Sequence, residues 1–385
     1  MKKTIALLAA FTVLVVAGVA YADDPDGDIQ AARDLLAQAD ALLAQEQAKP
    51  PVVNTVTETV TLPPSTVTET VTETVTQTPT TTTVPPTTTT TTTTVPPTTP
   101  PPPAPGFPSR AEALARSSVV AVSGARSTQY RVGSPPPDTT YDLRGMTSTA
   151  YPNGHAFPVS IGRDTAGART VVVGGAVFGT QPRDFTWDQV HAFGGAGMTL
   201  RGVDYQVSYD FRADNQHDGI QVLPGGTTKY LIEGAHMTWI RDDAIENDTE
   251  FSGVIRDVLV ESANNAISIG QSTKNSSAVN TVEDSIFILV PMRNDRAADG
   301  IGHQALFKQA PGGRVNLRNV IVCLTENPMT TDRQTIWPAG DKENVRIVLG
   351  ADYVGSYPGT LPSGVTVSRD WSICTDARDA WLAAH

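Results

Sequence analysis

The chain has 385 residues, with 28 Lys and Arg against 40 Asp and Glu, a net charge of −12. Ten of the acidic residues and four of the basic ones precede residue 107, so the rest of the chain carries −6. A mildly acidic body lacks the basic footprint of general nucleic-acid binding, and it cannot hold a polyanion by bulk charge.

In chain order, residues 1–22 read as a signal peptide. Lys2 and Lys3 form a basic end and Ile5 to Ala20 an apolar stretch. Ala20-Tyr21-Ala22 is a small-x-small cleavage site before Asp23. The apolar stretch is short for a span of about 20 residues, so no membrane span is expected after cleavage. The protein is expected to be secreted or held at an extracellular surface.

Residues 23–49 form a short helical segment. Ile29, Leu36 and Leu43 recur every seven residues within it, which suits either self-association through residues 28–47 or a helix that merely caps a domain. Residues 50–106 cannot build a core. About half the positions from Asn54 to Pro105 are Thr, and most others are Pro, Val or Glu. Such a tract is expected to be a disordered, extended stalk, often O-glycosylated, that holds a head away from a surface or simply spaces it. Residues 107–385 are long enough for one substantial core.

Within that head one motif recurs: Asp218-Gly219-Ile220, Asp243-Ala244-Ile245, Asn265-Ala266-Ile267 and Asp299-Gly300-Ile301, at spacings of 25, 22 and 34 residues. A period in the low twenties marks a solenoid in which every turn adds one rung to a parallel sheet. Apolar runs with an internal turn precede the rungs: Leu200-Arg201-Gly202-Val203, Leu231 to Ala235, Val254 to Val258 and Val282 to Ile286. No stretch keeps a 3.6-residue period for three turns, and the turn pairs of a β-sandwich are missing. The expected fold is all-β: a single-stranded, right-handed parallel β-helix, with Ile220, Ile245, Ile267 and Ile301 stacked inside. Val173-Gly174-Gly175 reads as a tight corner of the coil.

Two cysteines, Cys323 and Cys374, sit late in the chain. After export they can form a disulfide tying the tail to a late coil, or remain as separate thiols. No Cys/His cluster has zinc spacing, so no metal site is read from the sequence.

The corners before the rungs hold the chemistry. His217 and Asp218 end the first, Arg241, Asp242 and Asp243 the second, and Asn264 and Asn265 the third. The fourth carries Asp299, His303 and Lys308. In a stack these corners become neighbours, and stacked carboxylates raise the pKa of at least one member. A raised carboxylic acid beside an ionised one is what glycoside hydrolysis requires. Each residue also has a plain structural use. Asn265 suits an amide ladder, Asp218 and Asp299 suit Asp-Gly turns, and Tyr205, Tyr209, Trp239 and Trp337 suit the core as well as sugar stacking.

The coil pattern resembles the pectin-lyase-like superfamily of right-handed parallel β-helices. Three segments resemble motifs of the polygalacturonase family: Gln216-His217-Asp218-Gly219-Ile220, Asp242-Asp243-Ala244-Ile245 and Asn264-Asn265-Ala266-Ile267-Ser268-Ile269-Gly270. The resemblance implies that Asp242 donates a proton and that Asp218 and Asp243 activate water. From their places at the same corners, His217, Arg241, Asn264, Asn265, His303 and Lys308 are expected to bind substrate. Asn264 or Asn265 stands where the family has a His, and the family's Arg-Ile-Lys is missing. The match spans residues 214–270. Three functions stay open: a polysaccharide hydrolase needing no cofactor or a lyase needing a cation such as calcium; a non-catalytic adhesive head, cell-surface or phage-derived, that binds a glycan; and a surface protein without a ligand.

Overall fold

The computed structural model describes residues 104–385 apart from 151–156, 163, 194, 225–228, 293–303 and 328–332. The expected leader, helical segment and most of the stalk lie outside the described residues, as do Asp299, Gly300, Ile301 and His303.

Among the described residues, twenty-two strands pair side by side in one parallel sheet that coils into a parallel β-helix. One coil shows the plan: Tyr205–Tyr209, Arg212–Asp214 and Asp218–Val222 lie on three successive faces. The first face stacks Thr170–Val173, Tyr205–Tyr209, Lys229–Glu233, Ser252–Arg256, Val279–Glu283 and Arg314–Arg318. The second continues from Arg212–Asp214 through 236–238 and 259–261 to Ile286–Leu289 and Ile321–Glu326. The third stacks Val159–Ile161, Ala196–Leu200, Asp218–Val222, 243–247, 265–269 and Ala305–Phe307.

The corner between the first and second faces explains why these sequences coil. Gly174, Asp210, Gly234, Asp257, Asp284, Asn319 and Asn344 occupy it with φ between +49° and +71°. That left-handed conformation is open to Gly and tolerated best by Asp and Asn. Each turn from Gly174 to Asn319 redirects the chain while its own N–H bonds to the next coil, as from Asp210 to the Glu233 carbonyl at 2.9 Å and from Asp284 to the Arg318 carbonyl at 3.0 Å. The side chains form a ladder here: Asn319 donates to Asp284 at 2.8 Å and Asn344 to Asn319 at 3.0 Å.

This corner corrects one sequence assignment. Glu233 pairs with Tyr209, so the repeat that matches Leu231 to Ala235 is Val207 to Phe211. Leu200 instead ends a third-face strand opposite Val222. Its apolar run with a following Gly imitates a corner without the left-handed Asp.

Inside, one apolar position repeats on every coil. Val159, Met198, Ile220, Ile245, Ile267 and Phe307 align in register and are all but inaccessible. Phe307 stacks on Ile267; Ile301 lies outside the described residues. A continuous column is how a solenoid builds a core that no single coil could.

The outer faces are partly roofed. A five-residue helix, Arg110–Leu114, starts with a capping box between Ser109 and Glu112. Together with Ala104 it covers Val171, Val173, Val207, Tyr209 and Leu231 on the first face. Ala104, just ahead of the expected boundary at 107, is thus part of this packing. On the second face lies the C-terminal helix Ser372–Ala384. Trp381 packs on Leu259 and Ile286, and a disulfide joins Cys374 to Cys323. Among the described residues no helix is long and apolar enough to cross a membrane.

Candidate functional site

The third face receives its chemistry from three corners. At the first, Asn215 turns at φ +54° and delivers His217 and Asp218 to the start of a strand. At the second, Trp239 turns at φ +54° and the pairing of His236–Asn247 with Leu259–Ile269 slips between Ile240 and Asp243. Neighbouring strand residues normally point to opposite sides. The bulge at residues 241–242 removes that restriction, so both Asp242 and Asp243 reach one lysine. At the third, Ser262 turns at φ +63° ahead of Asn264 and Asn265.

The resulting cluster is tight. Lys308, just past Ala305–Phe307, donates to Asp242 Oδ2 and to Asp243 Oδ2, both at 2.8 Å. His217 Nδ1 lies 2.9 Å from Asp218 Oδ2, and its Nε2 lies 3.9 Å from Asp242 Oδ2. The Asp243 N–H donates to Asp218 Oδ1 at 3.0 Å. Asp218, Asp242 and Asp243 are only 5, 4 and 1% exposed, so they share a sealed cluster rather than the floor of an open groove.

Part of the seal comes from an element between two coils. The helix Trp187–Phe193 lays His191 Nδ1 at 3.2 Å from His217 Nε2 and stacks Trp187 on His191 with ring centres 4.4 Å apart. Arg241 ties this segment down. It donates to the Phe185 and Pro182 carbonyls at 2.8 and 2.7 Å and to Asn215 Oδ1 at 3.0 Å. At 3% exposure Arg241 acts as an internal strut, not as an exposed substrate ligand.

Asn264 and Asn265 are buried beside the acids. Asn265 Nδ2 reaches Asp242 Oδ1 at 3.5 Å, and its register neighbours are Asp243 and Ala305, so no amide ladder forms at this position. The amide ladder of this molecule runs through Asp284, Asn319 and Asn344 instead. Tyr209 is core and Trp337 packs against the core, whereas Tyr205 packs edge-on against Phe107 and Trp239 lies under the Arg183 guanidinium.

Electrostatics divides the acids. Burial drives Asp243 well above the ordinary carboxylate range, and the Asp242 charge adds to this against the pull of Lys308. Burial, with Asp218, Asp248 and Asp243 nearby, pushes Glu246 up to about 11. Asp218 moves the other way. Burial would raise it, but the His217 charge and hydrogen bond, together with Lys308, hold it below the usual range. His217 is raised: burial disfavours the imidazolium, yet Asp218 and then Asp242 outweigh burial. Lys308 stays charged, because Asp243, Asp242 and Asp218 overcome its desolvation. Neutral carboxylic acids therefore stand beside an ionised carboxylate, the asymmetry that acid–base chemistry uses.

Two participants, His191 and Trp187, were invisible in the sequence, and a third, Glu246, stood beside the second corner without a role. His191 and Trp187 belong to an inserted helix outside the repeat, and nothing in their local sequence marks them. Glu246 follows a rung directly, but its position beside Gln221, which donates to it at 2.6 Å, depends on coil register. Comparison with protein-family models, with curated proteins and with solved structures gives no match to this chain.

Proposed function

We propose that this chain is an exported, pectin-lyase-like β-helix protein that binds polysaccharide and hydrolyses it at the Asp218–Asp242–Asp243 cluster. The observation that carries this reading is the opposite perturbation of two carboxyls on adjacent coils, Asp243 raised and Asp218 lowered, within one hydrogen-bonded cluster. In this reading Asp243 is the neutral acid that protonates the glycosidic oxygen. The resemblance to polygalacturonases would give that proton to Asp242; the electrostatics favours its neighbour. Asp218, kept ionised by His217, takes the role of base or nucleophile. Lys308 holds Asp242 and Asp243 in place and offers positive charge toward an acidic sugar.

The burial of the three acids supports a second reading, a glycan-binding head on a stalk in which the cluster is a structural charge network. A panel of neutral and acidic polysaccharides separates the two. Reducing-end release is measured alongside the ultraviolet absorbance of unsaturated ends, which would reveal a lyase. The hydrolytic reading expects reducing ends from at least one polymer, with Asp218→Asn and Asp243→Asn each lowering the rate by about 10²-fold or more. Binding of a polymer without release of ends would establish the adhesive head.

A further inference from the structure

We propose that His191, His217 and Asp242 form a site for one divalent transition-metal ion, zinc by its chemistry. His217 Nε2 faces His191 Nδ1 at 3.2 Å and Asp242 Oδ2 at 3.9 Å. Two ligand nitrogens bound to a tetrahedral zinc at about 2.0–2.1 Å stand about 3.3 Å apart, so the two imidazoles already hold the required separation. Asp242 supplies the carboxylate of a three-ligand set by swinging its Oδ2 toward the imidazole pair, leaving the fourth position for water or a ligand oxygen.

The surroundings fit a metal-ligating histidine. Its other ring nitrogen, Nδ1, lies 2.9 Å from Asp218 Oδ2. A carboxylate on the far nitrogen fixes the tautomer, directs the Nε2 lone pair toward the ion and raises its basicity. Trp187, stacked on His191 at an interplanar angle of 16°, holds the second ring in place. One nitrogen of His217 and one oxygen each from Asp218 and Asp242 come within 4.8 Å of one another, all on buried residues. Lys308 shares Asp242 Oδ2 but also holds Asp243, so it keeps a partner when the ion takes Asp242. Imidazole with a carboxylate suits Zn²⁺, and also Ni²⁺ and Cu²⁺, better than Ca²⁺ or Mg²⁺. The ligands come from the inserted helix, the first corner and the bulge, so the ion would pin that helix to two coils. Their separations, 26 and 25 residues, match no sequence motif of a zinc site.

This inference does not depend on hydrolysis, and its test does not read activity. Full-length chain is stripped with EDTA and titrated with Zn²⁺ by calorimetry, with native mass spectrometry for stoichiometry. The expected result is one ion per chain with a dissociation constant below 1 µM on the order-of-magnitude scale of protein zinc sites. His191→Phe keeps a ring against Trp187, and His217→Ala removes the central ligand; each is expected to abolish that binding. Asp218→Asn, which only reorients His217, is expected to weaken it by about 10–100-fold. Should His217→Ala fail to fold, wild type and His191→Phe still decide. Absence of stoichiometric Zn²⁺ binding by the wild type overturns the site, and so does undiminished binding in His191→Phe.

Discussion

Replacing Asp243 by Asn separates the two demands on this side chain. Asp243 is 1% exposed, its Oδ2 accepts from Lys308 at 2.8 Å, and its Oδ1 has no hydrogen-bond partner. The sign follows from proton counting. Above pH 4 the unfolded chain has released this proton while the folded chain, with its raised pKa, retains it. The folded state then binds more protons, and stability falls as pH rises toward the folded pKa. Each unit costs about 1.4 kcal/mol, so between an ordinary pKa of about 3.9 and pH 7 the ceiling is about 4 kcal/mol. Asn carries no such penalty. It does keep a carbonyl toward Lys308 and place an NH₂ where Oδ1 has no partner, costing about 1–3 kcal/mol. Asp243→Asn is therefore expected to be less stable than wild type by about 1–3 kcal/mol at pH 4 and to overtake it as pH rises, by at most a similar amount at pH 7. Urea unfolding at pH 4, 5.5 and 7 reads the crossover. Stability curves for the two proteins that run parallel over this range would refute the reasoning.

Lys308→Met removes the cation shared by Asp242 and Asp243. Removing one partner of a buried ion pair should cost about 3–5 kcal/mol in urea unfolding at pH 7, and a loss below about 1 kcal/mol would show that the pairing contributes little. Cys323→Ser opens a disulfide whose ends are 51 residues apart. The loop-entropy model puts the loss at about 4 kcal/mol at most, and denatured, unreduced wild type should show no titratable thiol. Deleting residues 1–103 should leave a single cooperative thermal transition, because the described contacts of the coils begin at Ala104; a lost transition would mean that the arm is part of the fold.

The solenoid was legible because its rule is local. An apolar residue after a small one recurs once per coil, and Ile220, Ile245 and Ile267 had to stack once the strands were parallel. Corner register was less legible. The real marker is the left-handed residue at 210, 234, 257, 284, 319 and 344, which is Asp, Asn or Gly at every coil. The apolar run ending at Leu200 hid the first of these. The convergence of Asp242 with Asp243 depended on a bulge, and a bulge is set by pairing with the next coil rather than by the Asp-Asp dipeptide itself. His191 was out of reach because an inserted helix follows no period of the stack.

Two polar clusters of similar composition show what kind of pressure shaped the third face. At the corner of Asp284, Asn319 and Asn344, the side chains link one to the next, and the left-handed turns they stabilise are required by the coil. Around Asp243 the residue types are the same, yet the side-chain oxygens Asp243 Oδ1, Asn264 Oδ1 and Asn265 Oδ1 are buried without partners. Each such atom costs about 1–3 kcal/mol. The neighbouring coils fill comparable third-face positions with Ala196 and Ala305 at no such cost. A fold selected for stability alone would have used the small residues throughout. The excess of unsatisfied acceptors gathered around a raised acid, a lowered acid and two facing imidazoles is what a ligand or a reacting bond would complete. On this argument Asp243→Asn gains stability at neutral pH at the same atom where it loses activity, and that opposition sets a working site apart from a structural charge network.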